Sequence, residues 1–291
     1  MMRRFAILLL AFVLLGCGTT QKTVFEGPPN SDAEAAYRAA VKTLEGGSND
    51  EAIRAFSALK LQFPYATRWS TLAELRIADA HRNSGDCATA AVSYQDFVRT
   101  FPAHAEVPYA TYQAANCYYQ LMPSNIFFLP QPWQRDRRTT QQAEAALRAF
   151  IRKFPNDVNI DAARTQYREV RRRLSNHELY VAEFYFKRKA YEGSARRLAD
   201  LIQAYPDSDA APQAHILLAH SRLKLNQPVE AKRVLIALTQ AHPDSPFARD
   251  AQRWIDRNPN VPSQSDSTSV REQPRKPRTQ PANTSFSGFD D

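Results

Sequence analysis

An aromatic or histidine residue followed by proline recurs five times in this chain: Phe63-Pro64, Phe101-Pro102, Phe154-Pro155, Tyr205-Pro206 and His242-Pro243. The prolines are separated by 38, 53, 51 and 37 residues. Twelve positions before each proline is a small residue: Ala52, Ala90, Ala143, Ser194 or Ala231. Eight positions before it is a large one: Phe56, Tyr94, Leu147, Leu198 or Leu235. Self-similarity at such a period is the mark of a repeat fold built from one supersecondary unit. The small residue lets two helix backbones approach, and the large residue one turn later fills the adjoining hole. The proline then stops the helix, because its ring cannot continue the hydrogen-bond ladder.

Upstream of each such helix the pattern predicts a partner helix with an alanine two turns inside it: Ala40, Ala78, Ala115, Ala182 and Ala219. Breakers or caps mark the turn between the two, as in Gly46-Gly47-Ser48-Asn49 and Ser84-Gly85-Asp86. Small-then-large on the second helix, with short turns, describes tetratricopeptide-type hairpins, which stack so that neighbours share a continuous core. The expected fold is therefore all-α, a tetratricopeptide-repeat α-solenoid of about five helical hairpins with disordered termini. The units fall at 32–64, 67–102, 106–155, 176–206 and 210–243. Polar caps such as Asp207-Ser208-Asp209 and Asp244-Ser245 restart the next helix. With only eight glycines in the chain, composition also favours helix throughout.

The two long gaps have separate causes. A sixteen-residue insertion at about 122–137 interrupts the third unit and carries Ile126-Phe127-Phe128-Leu129 and Trp133. A loop of that length inside a compact fold is usually functional. The fourth gap holds an additional helix, about Ile160 to Leu174, feeding a helix through Tyr180 to Lys187. The expected organisation is thus repeats one to three over 32–155, and repeats four and five with the extra helix over 156–256. A Pro/Ser/Arg-rich tail over 257–291 has the composition of a segment that cannot build a core.

The chain opens with Arg3 and Arg4 before an eleven-residue apolar run, Phe5 to Leu15. That is too short for the ~20 residues a spanning helix needs, and it reads as a secretory signal peptide over 1–16. Leu14-Leu15-Gly16-Cys17 has the spacing of a bacterial lipobox. Cys17 is therefore the expected lipidation site, followed by a flexible tether over 17–31. Several acyl chains anchor stably where one would be marginal. Gly18 in place of an aspartate directs the expectation to the periplasmic face of the outer membrane. There the chain, whose net charge of +8 falls to about +6 once Arg3 and Arg4 are removed, has no nucleic acid to meet.

Catalytic constellations are not apparent. His177-Glu178 lacks the second histidine of a zinc site, and His215 and His220 are five apart. Ser57…Lys60 and Ser221…Lys224 have the spacing of a penicillin-recognising nucleophile but lack its companion elements. Both read as chance polar residues on helix surfaces. Arg171-Arg172-Arg173 point in different directions around a helix and read as mainly solvated. No enzyme, metal or cofactor is expected. Cys87 begins the second helix of repeat two and Cys117 lies near the end of the following helix. Those helices run antiparallel in a stack, so the two cysteines are a candidate disulfide if their Cα atoms fall within about 7 Å. Two buried small hydrophobes are the alternative.

The lipobox, five repeats, third-repeat insertion and extra helix together resemble the BamD family, the ComL-type lipoproteins of outer-membrane β-barrel assembly. Leu174 to Tyr185 is similar to that family's stretch before the fourth repeat, and Asp136-Arg137 to its approach to the third repeat's second helix. The long tail and the hydrophobic loop depart from it. The resemblance implies a non-catalytic scaffold whose amino-terminal repeats receive unfolded outer-membrane proteins. Its carboxy-terminal repeats would dock on a POTRA domain of the barrel-forming BamA, beside other assembly lipoproteins. In this repeat class the first helices line a groove, which directs Tyr37, Leu75, Arg76, Asp79, Arg82, Tyr109, Tyr112, Asn116 and Tyr119 toward a client. Arg197, at the edge of the packed face of repeat four, aligns with an arginine that the family presents to the POTRA partner. A tetratricopeptide lipoprotein of a secretion, pilus or cell-wall system is the alternative function.

Overall fold

The computed structural model describes residues 30–123 and 137–263, and every described element is an α-helix. The signal peptide, Cys17, the Ile126–Trp133 stretch and the tail beyond 263 lie outside the described residues. Ten of the helices are α1 (Asn30–Glu45), α2 (Asn49–Gln62), α3 (Thr67–Asn83), α4 (Cys87–Thr100), α5 (Val107–Gln120), α6 (Arg138–Lys153), α7 (Ile160–Lys187), α8 (Tyr191–Ala204), α9 (Ala211–Lys224) and α10 (Pro228–Ala241). A further helix, α11 (Pro246–Arg257), follows the fifth hairpin, and the Ser245 hydroxyl accepts the Phe247 N–H at its start.

The repeat pattern translates directly into burial. The five small residues of the second helices are sealed, and so are the five patterned alanines of the first helices, Ala40, Ala78, Ala115, Ala182 and Ala219. Phe56, Tyr94, Leu147, Leu198 and Leu235 are buried with them, each contributing roughly 1.5–3 kcal/mol of transfer free energy. Ser194 shows how close the backbones come. Its hydroxyl donates to the carbonyl of Ala182 at 2.9 Å, joining the small residue of α8 to the alanine of α7. Ser221, expected on an exposed face, is buried instead and donates to the Leu217 carbonyl at 2.8 Å.

Four inter-helix turns share one geometry. In each, the sixth residue's N–H bonds the first carbonyl and the fifth bonds the second: Ser48 to Thr43 and Gly47 to Leu44, Asp86 to His81 and Gly85 to Arg82. Ala190 to Tyr185 with Lys189 to Phe186, and Gln227 to Arg222 with Asn226 to Leu223, repeat it. This is the Schellman motif, which requires a left-handed residue after the helix. Gly47 (φ +82°) and Gly85 (φ +84°) supply it without cost, while Lys189 (φ 61°) and Asn226 (φ 58°) adopt it with a side chain. Glycine marked the first two turns in the sequence. Nothing in the composition marked Lys189.

Two expectations about elements need correction. The extra helix and the first helix of repeat four are a single 28-residue helix, α7. The Leu174-Ser175-Asn176 junction contains no residue that breaks a helix, and the buried Ser175 hydroxyl bonds back to the Arg172 carbonyl. Asp207-Ser208-Asp209 does not cap α9 through a side chain: its N-cap is Ala210, and the Asp207 carboxylate is held by Arg171 at 2.5 Å.

The described residues pack as two compact units. One comprises residues 30–121 together with Ala149–Ala163; the other comprises 122–123, 137–148 and 164–263. The first has an α1–α3 cluster around Phe56 and an α3–α5 cluster around Tyr94, Phe97 and Cys117. The second has clusters around Leu198 and around Leu235.

Candidate functional site

In the first unit a single carboxylate organises most of the expected groove residues. Asp79, on α3, is only 4 % exposed. Its Oδ1 accepts the Tyr94 hydroxyl at 2.6 Å and the Tyr109 hydroxyl at 2.8 Å. Its Oδ2 accepts Arg76 Nη1 at 2.5 Å. Arg76 Nε donates to the Tyr37 oxygen at 3.2 Å, and Arg82 Nε to the Tyr94 oxygen at 3.3 Å. The network therefore ties α1, α3, α4 and α5 together. A buried charge is tolerated only when paired and hydrogen-bonded, and this one is.

The electrostatics follow. Burial pushes the Tyr109 hydroxyl up to about 12, with the Asp79 charge adding to the rise. Burial and then Asp79 raise Tyr94 further. Burial alone would lower the Arg76 guanidinium, but the Tyr37 and Asp79 bonds more than offset it and hold the group charged.

Leu75, Asp79 and Tyr112 do not face a groove; Asp79 is sealed within the polar network just described. Leu75 is sealed in the α3–α5 cluster, and Tyr112 is buried with its ring 5.4 Å from that of Phe150. A first helix in a stack is contacted by its own partner and by the neighbouring repeats, so its open face is narrower than the repeat frame implies. Tyr37, Arg76, Arg82, Tyr109, Asn116 and Tyr119 remain partly exposed. Tyr94 was read only as the large core residue of repeat two, although its hydroxyl completes the network. The signal was available: the other repeats place Phe or Leu there, and a buried tyrosine needs a partner for its oxygen.

In the second unit the arginines carry the polar structure. Arg197 on α8 donates to Glu178 Oε2 at 2.9 Å, and its side chain is 38 % exposed. Arg137, at the end of the insertion, pairs with the other Glu178 oxygen. Arg196 next to it is exposed, as the helix phase predicts. The Arg171–Arg173 run is not mainly solvated. The Arg171 side chain is 16 % exposed, bonded to Asp207, and lies 5.0 Å from the ring centroid of Tyr205. Arg173 bonds Glu169 at 2.7 Å and the Pro123 carbonyl at 2.7 Å. Burial, then the charge of Glu144, pushes Tyr205 up to about 12.

Cys87 and Cys117 are buried, and the structure holds both as free thiols rather than as a disulfide. The helices do bring them into one apolar cluster, where both are buried. The Cys87 Sγ donates to Gln120 Oε1 at 3.2 Å. Among the described residues no group of three or more His, Cys, Asp or Glu could hold a metal ion. No described helix is long and apolar enough to cross a membrane.

The Outer membrane protein assembly factor BamD of Xylella fastidiosa is 28 % identical over 258 residues, covering 86 % of this chain and 85 % of the relative. The protein of the same name from Caulobacter vibrioides is 27 % identical over 257 residues, covering 87 % and 80 %. Among solved structures, the TPR2AB domain of yeast Sti1 is 13 % identical with a TM-score of 0.41, covering 80 % of this chain and 88 % of that one. The fold assignment rests on the hairpins themselves. The profile of the family described as "YfiO: Outer membrane lipoprotein" matches residues 29–235, so the chain belongs to that outer-membrane lipoprotein family, to which the BamD resemblance also led.

Proposed function

We propose that this chain is a non-catalytic scaffold of the outer-membrane β-barrel assembly machinery. It would be held at the periplasmic face through a lipidated Cys17, receiving unfolded outer-membrane proteins on repeats one to three. Repeats four and five would dock a POTRA domain of a BamA-like barrel protein, with other assembly lipoproteins alongside. The observation that carries the client half is the Asp79 network. It fixes Arg76 and Arg82 beside Tyr37 and Tyr109 while leaving all four partly exposed. Among the described residues, Arg82 spends only Nε, on Tyr94. Its terminal nitrogens suit a carboxylate, and the tyrosines suit the aromatic residue that ends a client strand.

Arg82→Ala is the cleaner test, because Arg76 also neutralises Asp79 and its removal would leave a buried charge short of a partner. A labelled peptide ending in phenylalanine with a free carboxylate should bind Arg82→Ala about tenfold or more weakly, the size of one lost charge-assisted bond. An amidated peptide should not distinguish the two proteins. Equal affinity of the free-acid peptide for wild type and variant would remove this site from the client path.

For the docking half, Arg197 is half exposed and pre-oriented by Glu178, so it can present its remaining donors to a partner carboxylate. Arg197→Leu should release a POTRA-bearing barrel protein from mild-detergent pull-downs, and Arg196→Leu should not. Identical behaviour of the two variants would return Arg197 to an intramolecular role.

A further inference from the structure

The two thiols in the core of the first unit have no part in that scaffold reading. Cys87 is the first residue of α4, and Cys117 lies one turn from the end of α5, so they sit on helices of different repeats. They are 4 % and 0 % exposed and belong to one apolar cluster, and the Cys87 thiol reaches Gln120 Oε1 at 3.2 Å, one turn beyond Cys117 on the same helix. The chain between them holds the α4–α5 connection, and α5 carries Asn116 and Tyr119 on either side of Cys117. Immediately after α5 the chain enters the insertion.

We propose that Cys87 and Cys117 are an oxidation site: a disulfide that staples repeat two to repeat three, can be installed only while these repeats are open, and is locked in whichever redox state the chain folds with. The step is thiol–disulfide exchange with a donor disulfide, either a small one such as oxidised glutathione or that of a dithiol oxidase. One cysteine thiolate attacks the donor and expels a thiolate; the second attacks the mixed disulfide and expels the other. The pair loses two electrons and two protons, and the donor disulfide becomes two thiols.

The locking follows from burial. A donor cannot reach either sulfur without opening the α3–α5 cluster around Tyr94 and Phe97. The thiolate, which is the nucleophile, is also scarce in the folded state. Burial, and then the neighbouring Cys87 thiol, push Cys117 up to about 12. Exchange in the folded protein should therefore proceed through local opening and be slower by orders of magnitude than in the unfolded chain. The envelope location bears only on where the oxidant is met. The site itself is testable on isolated protein and does not depend on the scaffold reading.

The full chain, denatured and fully reduced, is refolded by dilution into a mixture of reduced and oxidised glutathione, then denatured in an alkylating agent and mapped by mass spectrometry. The expected product is a Cys87–Cys117 linked peptide pair that separates only on reduction. Both cysteines alkylated after this refolding would overturn the proposal. In parallel, protein folded in the reduced state is placed in the same buffer. Its thiols should persist on the order of 100-fold longer than those of the unfolded chain, and oxidation at comparable rates would overturn the locking. The bonded form should melt ~5–10 °C above the reduced form; equal or lower melting would show that the bond does not staple the repeats.

Discussion

The two compact units hold their repeats together by different polar chemistry. In the first, tyrosine hydroxyls and one guanidinium converge on Asp79, a carboxylate removed from water. In the second, guanidinium–carboxylate pairs do the work at partly exposed positions. Arg137 and Arg197 meet on Glu178, Arg172 and Arg173 on Glu169, and Arg171 lies between Asp207 and the Tyr205 ring. A buried, fully satisfied network is worth little until one member is lost, and then the remaining groups are stranded. Exposed pairs contribute less, and salt screens them. The first unit should thus be brittle toward single substitutions and indifferent to salt, and the second tolerant of substitution and sensitive to salt.

The largest expected effect is at Asp79. Asp79→Ala strands the Tyr94 and Tyr109 hydroxyls and leaves Arg76 without its carboxylate, which should cost ~3–5 kcal/mol in urea unfolding. That loss should be nearly the same in 0.05 and 0.5 M sodium chloride. A loss below about 1 kcal/mol would mean that the network is wet and the contrast between the units is false.

Glu178→Ala tests the other side. Arg137 and Arg197 are each more than a third exposed and can rehydrate, so the cost should be about 1 kcal/mol at low salt and should shrink as salt rises. The same variant would free Arg197 from its intramolecular partner. Its pull-down of a POTRA partner therefore shows whether the Glu178 contact orients Arg197 for docking or competes with docking.

The smallest effect compares turns of identical geometry. Lys189→Gly in the second unit should stabilise by about 1 kcal/mol, because a lysine held at positive φ carries a strain that glycine lacks. Asn226→Gly should gain only a few tenths, since asparagine tolerates the left-handed region. Gly47→Ala and Gly85→Ala in the first unit should lose a comparable amount. Differential scanning calorimetry resolves all four, and a loss of stability in Lys189→Gly would show that its side chain makes a contact worth more than the strain.

How much of this was legible beforehand depends on the distance over which each fact is decided. The aromatic-Pro steps and the small and large residues before them determined the hairpins, because helix stops and helix–helix approach are local properties of sequence. The same periodicity named the buried alanines and identified the turns where glycine stood. Local reasoning also placed Arg197 at the edge of its helix and Arg196 beyond it, since neighbouring residues lie about 100° apart around a helix.

Facts decided between helices were not legible. Leu75 and Tyr112 belong to the core because neighbouring repeats cover them, and no property of α3 or α5 alone says so. Tyr94 completes the polar network because α3 delivers Asp79 to its hydroxyl from fifteen residues away. Lys189 takes the left-handed position that the Schellman turn between α7 and α8 requires, against its own preference. The sequence by itself determined which segments are helices, which face of each seeks a partner, and the family to which the chain belongs. Only the tertiary structure decided which charges are sealed, which arginines are committed within the chain, and that two thiols thirty residues apart are sealed in one cluster. Helix formation depends on neighbours three and four residues away, whereas burial and ionic pairing depend on whichever helix arrives across the stack.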